Sequence, residues 1–97
     1  MATKTYPFDP AEMLDSPEAL AEYLSLALAE NDLAAVVDAL GVVARARGMA
    51  ELAREAGLQQ EHLCKALSPG GDPDLDTVVR VARALGLRLS VEPARAA

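Results

Sequence analysis

The chain has 97 residues with one cysteine and no tryptophan, and its apolar content is dominated by alanine, leucine and valine. That length points to a single domain, and that composition favours packed helices over a sandwich or barrel. The net charge of −6 argues against a surface that is basic throughout, and the charge is unevenly spread.

Residues 1–15 carry Pro7 and Pro10 and no regular apolar spacing, so they read as an extended arm. Tyr6, Phe8, Met13 and Leu14 in that arm either pack back onto the domain or dock on a partner. Residues 16–97 read as one helical domain. Ser16-Pro17-Glu18 is a helix start, with a hydroxyl to cap an orphan N–H, proline at the first helical position and an acid at the positive helix end. Leu20, Tyr23, Leu24, Ala27 and Leu28 then repeat at helical spacing. Asn31 or Asp32 caps a second helix, whose stripe is Leu33, Val36, Val37, Leu40, Val43 and Ala44. Gly41 interrupts that helix without ending it, and Gly48 closes it after Arg45 and Arg47.

A short third helix, about 49–56, turns Met49, Leu52, Ala53 and Ala56 inward. Gly57 supplies a turn that requires left-handed backbone. A fourth helix runs from near Gln59 to Leu67 with Leu63, Ala66 and Leu67 inward. Ser68 to Pro73 is a loop by composition. Asp74 caps a fifth helix with a stripe of Leu75, Val78, Val79, Ala82 and Leu85, and Gly86 stops it. Residues 87–92 alternate apolar and polar, the signature of a strand that needs a partner. The expected fold class is therefore all-α: five helices with a helix-turn-helix at 48–68 and a short C-terminal strand.

The apolar runs are broken by charge well short of a membrane span, and the N-terminus lacks a basic segment followed by a hydrophobic one. Cys64 stands alone, with no zinc spacing around it. A reduced, cytoplasmic protein is expected. No Ser/His/Asp frame, phosphate loop or carboxylate–histidine cluster is present, so no enzyme activity, cofactor or metal is expected. Residues 1–40 hold eight acids against one base, whereas residues 41–97 hold eight bases against seven acids. The acidic front suits a basic partner. The near-neutral back binds phosphate only through local placement of its arginines. Arg45, Arg47 and Arg54 either contact phosphates or balance nearby acids and a helix C-terminus.

Ala53, Gly57, Leu58, Leu63 and Ala66, then Pro73-Asp74-Leu75 and Ala84-Leu85-Gly86, resemble the Cro/phage-repressor type of helix-turn-helix, also called XRE-like, in the lambda-repressor-like fold. A wider set resembles the addiction-module antidote proteins, the HigA-like antitoxins. It comprises Tyr23-Leu24, Val43 to Ala46, Gly48-Met49, Leu52-Ala53, Gly57-Leu58, Leu63 to Ser68, Asp72-Pro73 and Ala84 to Leu87. This second resemblance implies a protein that neutralises a basic RelE/ParE-like toxin and represses their shared operon. It also implies a homodimer on operator DNA and a recognition helix contacting bases through Gln59, Gln60, Glu61, Cys64, Lys65 and Ser68. Glutamine can pair bidentately with adenine, glutamate can accept from cytosine N4, and lysine can reach guanine or phosphate. Toxin contact is expected from the acidic front at Tyr6, Phe8, Glu18, Glu22 and Tyr23, and dimer contact from Leu87, Leu89 and Val91. The sequence departs from the class in having Lys65 as the only base on the reading helix, with Glu61 beside it and Leu67 where an acid is common. A protein-interaction module that retains the scaffold without binding DNA, and a stand-alone phage-type repressor, are the competing readings.

Overall fold

The computed structural model describes residues 16–94, which form five α-helices: α1 Pro17–Ala29, α2 Leu33–Arg47, α3 Met49–Ala56, α4 Gln60–Ala66 and α5 Leu75–Ala84. The arm residues Tyr6 and Phe8 lie outside the described residues.

Local chemistry fixes most helix ends. Ser16 Oγ accepts from the Ala19 N–H at 3.0 Å, Asp32 from Ala35 at 3.1 Å and Asp74 from Thr77 at 2.9 Å, each satisfying one orphan donor. Three helices stop by the same device. After α1, α3 and α5 the chain enters left-handed backbone at Asn31, Gly57 and Gly86. The next N–H then reaches back to the carbonyls of Ala27, Ala53 and Ala82, all at 2.8 Å. Asparagine serves at the first stop because its short polar side chain tolerates that region.

α1 packs on α2, and α3 packs on α2, α4 and α5. Leu20, Leu40, Leu52, Leu63, Leu67 and Val81 are the large fully buried side chains. Full burial of such a side chain stabilises by roughly 1.5–3 kcal/mol. Between them sit buried alanines, Ala27, Ala35, Ala39, Ala44 and Ala53, which let the helix axes approach closely. Gly41 shows the same closeness in extreme form: a Cβ built there would lie 2.7 Å from the Leu67 carbonyl oxygen. The middle of α2 thus presses on the end of α4.

Two expectations are corrected. Among the described residues there is no strand, and residues 87–94 have no regular structure. Alternation alone does not make a ladder: the Leu87 N–H is used in closing α5 on Ala82, and Leu89 and Val91 are left exposed. The apolar stripe of α5 is also rotated from the expected one. Leu75 is 72% exposed, while Thr77, Val81, Ala82 and Leu85 are buried. The run of valines fits either phase, and Thr77 goes inside because its hydroxyl meets His62 Nε2 at 3.3 Å.

Candidate nucleic-acid interface and partner surfaces

α4 is held from behind. Leu63 is fully buried and Ala66 nearly so, and the Gly57 turn carries the chain from α3 directly into its start. Arg80 of α5 strengthens that turn by donating to the Ala56 carbonyl at 3.4 Å while pairing with Asp76 at 3.0 Å. Gly57 lies in left-handed backbone, which asks for glycine there, and a side chain would also have to push that guanidinium aside from 3.1 Å. On the opposite edge, His62 bonds Thr77, which sits against Asp74 at the start of α5. The Thr77 hydroxyl and N–H, with His62 nearby, hold the Asp74 carboxyl below the usual aspartate range. This link between α4 and α5 spans fifteen residues, a separation that no local pattern in the sequence announces.

The outward face of α4 brings together most of the expected reading residues. Gln59, Gln60, Glu61, Cys64 and Lys65 are all exposed. Gln60 and Cys64 are one turn apart, as are Glu61 and Lys65, so the four share one face. Gln59 is the N-cap residue, and its side chain makes no cap bond, leaving the amide available. Ser68 differs: it is half-buried, and its hydroxyl donates to the Lys65 carbonyl at 2.7 Å. It closes α4, with only its lone pairs left to a ligand.

The arginines divide. Arg54 pairs with Glu51 within α3, which lowers the Glu51 carboxyl, and Arg47 lies 3.7 Å from Glu55. Among the described residues Arg45, Lys65, Arg83 and Arg88 have no ion-pair partner. The Arg45 guanidinium lies over Gly41, beside the end of α4. Among the residues proposed for toxin contact, Glu18 and Glu22 are exposed one turn apart on α1, but Tyr23 is only 6% exposed and belongs to the core. Its place in the apolar stripe decided its position, and its ring is not a docking surface. Among the described residues no group of His, Cys, Asp or Glu is arranged to hold a metal ion, and no helix is long and apolar enough to cross a membrane.

Residues 4–93 match a protein family described as "Probable addiction module antidote protein". The chain belongs to that family. An uncharacterized protein of Haemophilus influenzae is 44% identical over 88 residues, covering 91% of each chain. No solved structure matches. Membership in the antidote family implies a toxin as partner.

Proposed function

We propose that this antidote-family protein is a DNA-binding antitoxin that neutralises a basic RelE/ParE-like toxin and represses the operon encoding both. The observation that supports it best is the outward face of α4, where Gln60, Glu61, Cys64 and Lys65 stand exposed on a helix braced from both sides. Helix-turn-helix dimers seat two such helices in successive major grooves, roughly 34 Å apart. Gln60 would read adenine, Glu61 cytosine, and Lys65 guanine or phosphate, while Gln59 holds a phosphate at the helix start. Arg45, without an ion-pair partner among the described residues and near the end of α4, supplies a further phosphate contact. The exposed Leu89 and Val91, with Leu87 half-buried beside them, would supply the apolar contact between the two copies of a homodimer.

The test is a gel shift with the protein's own promoter. Gln60→Ala is expected to cost about 1–3 kcal/mol against the matched base and to relax specificity there. Lys65→Ala is expected to weaken binding on all sequences and to lower the salt slope by about one. If both variants bind as tightly as the parent, α4 does not read DNA.

One observation favours a second reading, a protein-interaction module on a retained scaffold. Lys65 is the only base on α4, Glu61 repels phosphate, and Arg47 and Arg54 are drawn to acids. Absence of a shift on promoter DNA at low salt, together with tight toxin binding, would establish it. A stand-alone repressor is separated from both by its gene neighbourhood, since an antitoxin has a small basic reading frame beside it.

A further inference from the structure

A groove of about 350 Å³ runs between the end of α1, the first half of α2 and the loop after α4. Its walls are apolar: Leu28, Leu33, Val36, Val37 and Pro73 line it, and Leu28 and Leu33 are 53% and 59% exposed. Both leucines belong to the helical stripes of α1 and α2, so these stripes continue past the core into open solvent. Asp38 and Asp72 also line the groove, and no basic residue does among the described residues. Glu30 and Asp32 occupy the turn that joins Leu28 to Leu33.

We propose that this groove is where the toxin docks, by an amphipathic segment whose apolar side chains enter the groove and whose lysines or arginines meet the acidic rim. The inference rests on the antitoxin reading and locates its protein contact. Charge decides between occupants. A second copy related by a two-fold axis would set Asp38 and Asp72 against the same acids of its partner. The chain's own residues 1–15 carry three acids and one base, so the rim repels them as well. A basic partner gains from both the apolar floor and the rim.

The groove also shares a wall with the DNA-reading side. Gly70 to Pro73 lines it on one side and, on the other, a hollow bounded by His62, Lys65 and Ser68. That wall is pressed onto the end of α4: the Gly71 N–H donates to the Ser68 carbonyl at 2.7 Å, and a Cβ on Gly71 would lie 2.2 Å from the Ala66 carbonyl oxygen. An occupant that displaces the loop must displace the end of the recognition helix, so toxin binding and operator binding are coupled through it.

The test uses the full-length chain and, as probe, the purified small basic protein encoded by the adjacent gene. Affinity is measured by calorimetry for the parent, for Asp38→Lys with Asp72→Lys, for Leu33→Gln, and for Glu51→Lys with Glu55→Lys on α3, away from the groove. All these positions are exposed, and circular dichroism checks that each variant folds. The groove variants are expected to bind roughly tenfold or more weakly, with the charge reversal reducing the salt dependence, whereas the α3 pair changes affinity by less than about threefold. Binding that tolerates the groove variants overturns the groove and leaves the antitoxin reading intact. No binding by the parent overturns both. A photoreactive benzoylphenylalanine at position 33 identifies the occupant. A crosslink to the basic protein supports the proposal, and a crosslink to a second copy or to residues 1–15 in its presence overturns it.

Discussion

Replacing Gly41 by alanine separates local propensity from tertiary packing. In the interior of an exposed helix this change stabilises by about 0.5–1 kcal/mol, because alanine loses less backbone entropy than glycine. Gly41 is buried in α2, and the new methyl would stand 2.7 Å from the Leu67 carbonyl oxygen and 3.1 Å from an Arg45 guanidinium nitrogen. The arginine can swing away, but the carbonyl belongs to the backbone that closes α4 and cannot. Overpacking of that kind costs about 1–3 kcal/mol. A clash with backbone puts the cost in the upper part of that range, about 2–3 kcal/mol, and subtracting the propensity gain leaves a net destabilisation of about 1–2.5 kcal/mol. At about 4–8 °C per kcal/mol for a domain of this size, Tm should fall by roughly 5–15 °C. Urea denaturation should show the loss as a lower midpoint with an unchanged slope. Ala46→Gly, at an exposed position further along the same helix, is the control and should lose at most about 1 kcal/mol, by propensity alone. A Gly41→Ala variant as stable as the parent, or more so, would mean that α2 does not press on the end of α4.

Other outcomes follow from the same geometry. Leu63→Ala, which empties a fully buried site behind α4, should cost about 2–5 kcal/mol by thermal unfolding and so remove much of the margin of so small a domain. Thr77→Val keeps the shape but deletes the hydroxyl that joins α5 to His62, and should cost about 1 kcal/mol. A double-mutant cycle with His62→Ala should return a coupling energy, and strict additivity would show that the two side chains do not interact. The Asp74 carboxyl is held low in the folded state, so its contribution is complete above the ordinary aspartate range and is lost as pH falls through the folded value. Urea midpoints between about pH 5 and pH 2 should therefore fall less steeply for Asp74→Asn than for the parent.

Helix ends were the most legible part of the sequence. Ser16, Asp32, Asp74, Gly57 and Gly86 act on their own neighbours, so their identity carries the whole signal. The outward face of α4 was legible too, since Leu63 and Ala66 fix which side of a seven-residue helix turns in. What escaped the sequence depends on distant chain segments. His62 and Thr77 make each other's environment across a loop, and neither residue type announces it. Leu28 and Leu33 carry the same stripe as buried leucines, and only the position of the Gly70–Pro73 loop leaves them at a groove rather than in the core. Tyr23 fitted two roles, and helical phase put it inside. The alternation at residues 87–92 describes a strand's side chains but not the neighbour that would complete it.

The exposed thiol of Cys64 turns the parent chain into its own reporter. It is the only sulfhydryl in the molecule, and it lies one turn from Gln60 on the face that would meet a duplex. A maleimide therefore modifies a single atom, with no engineering of the protein. DNA seated on α4 would shield that sulfur, whereas the α1–α2 groove does not include it in its lining. The alkylation rate, followed by mass, then serves as a clock for operator occupancy while a second protein is added.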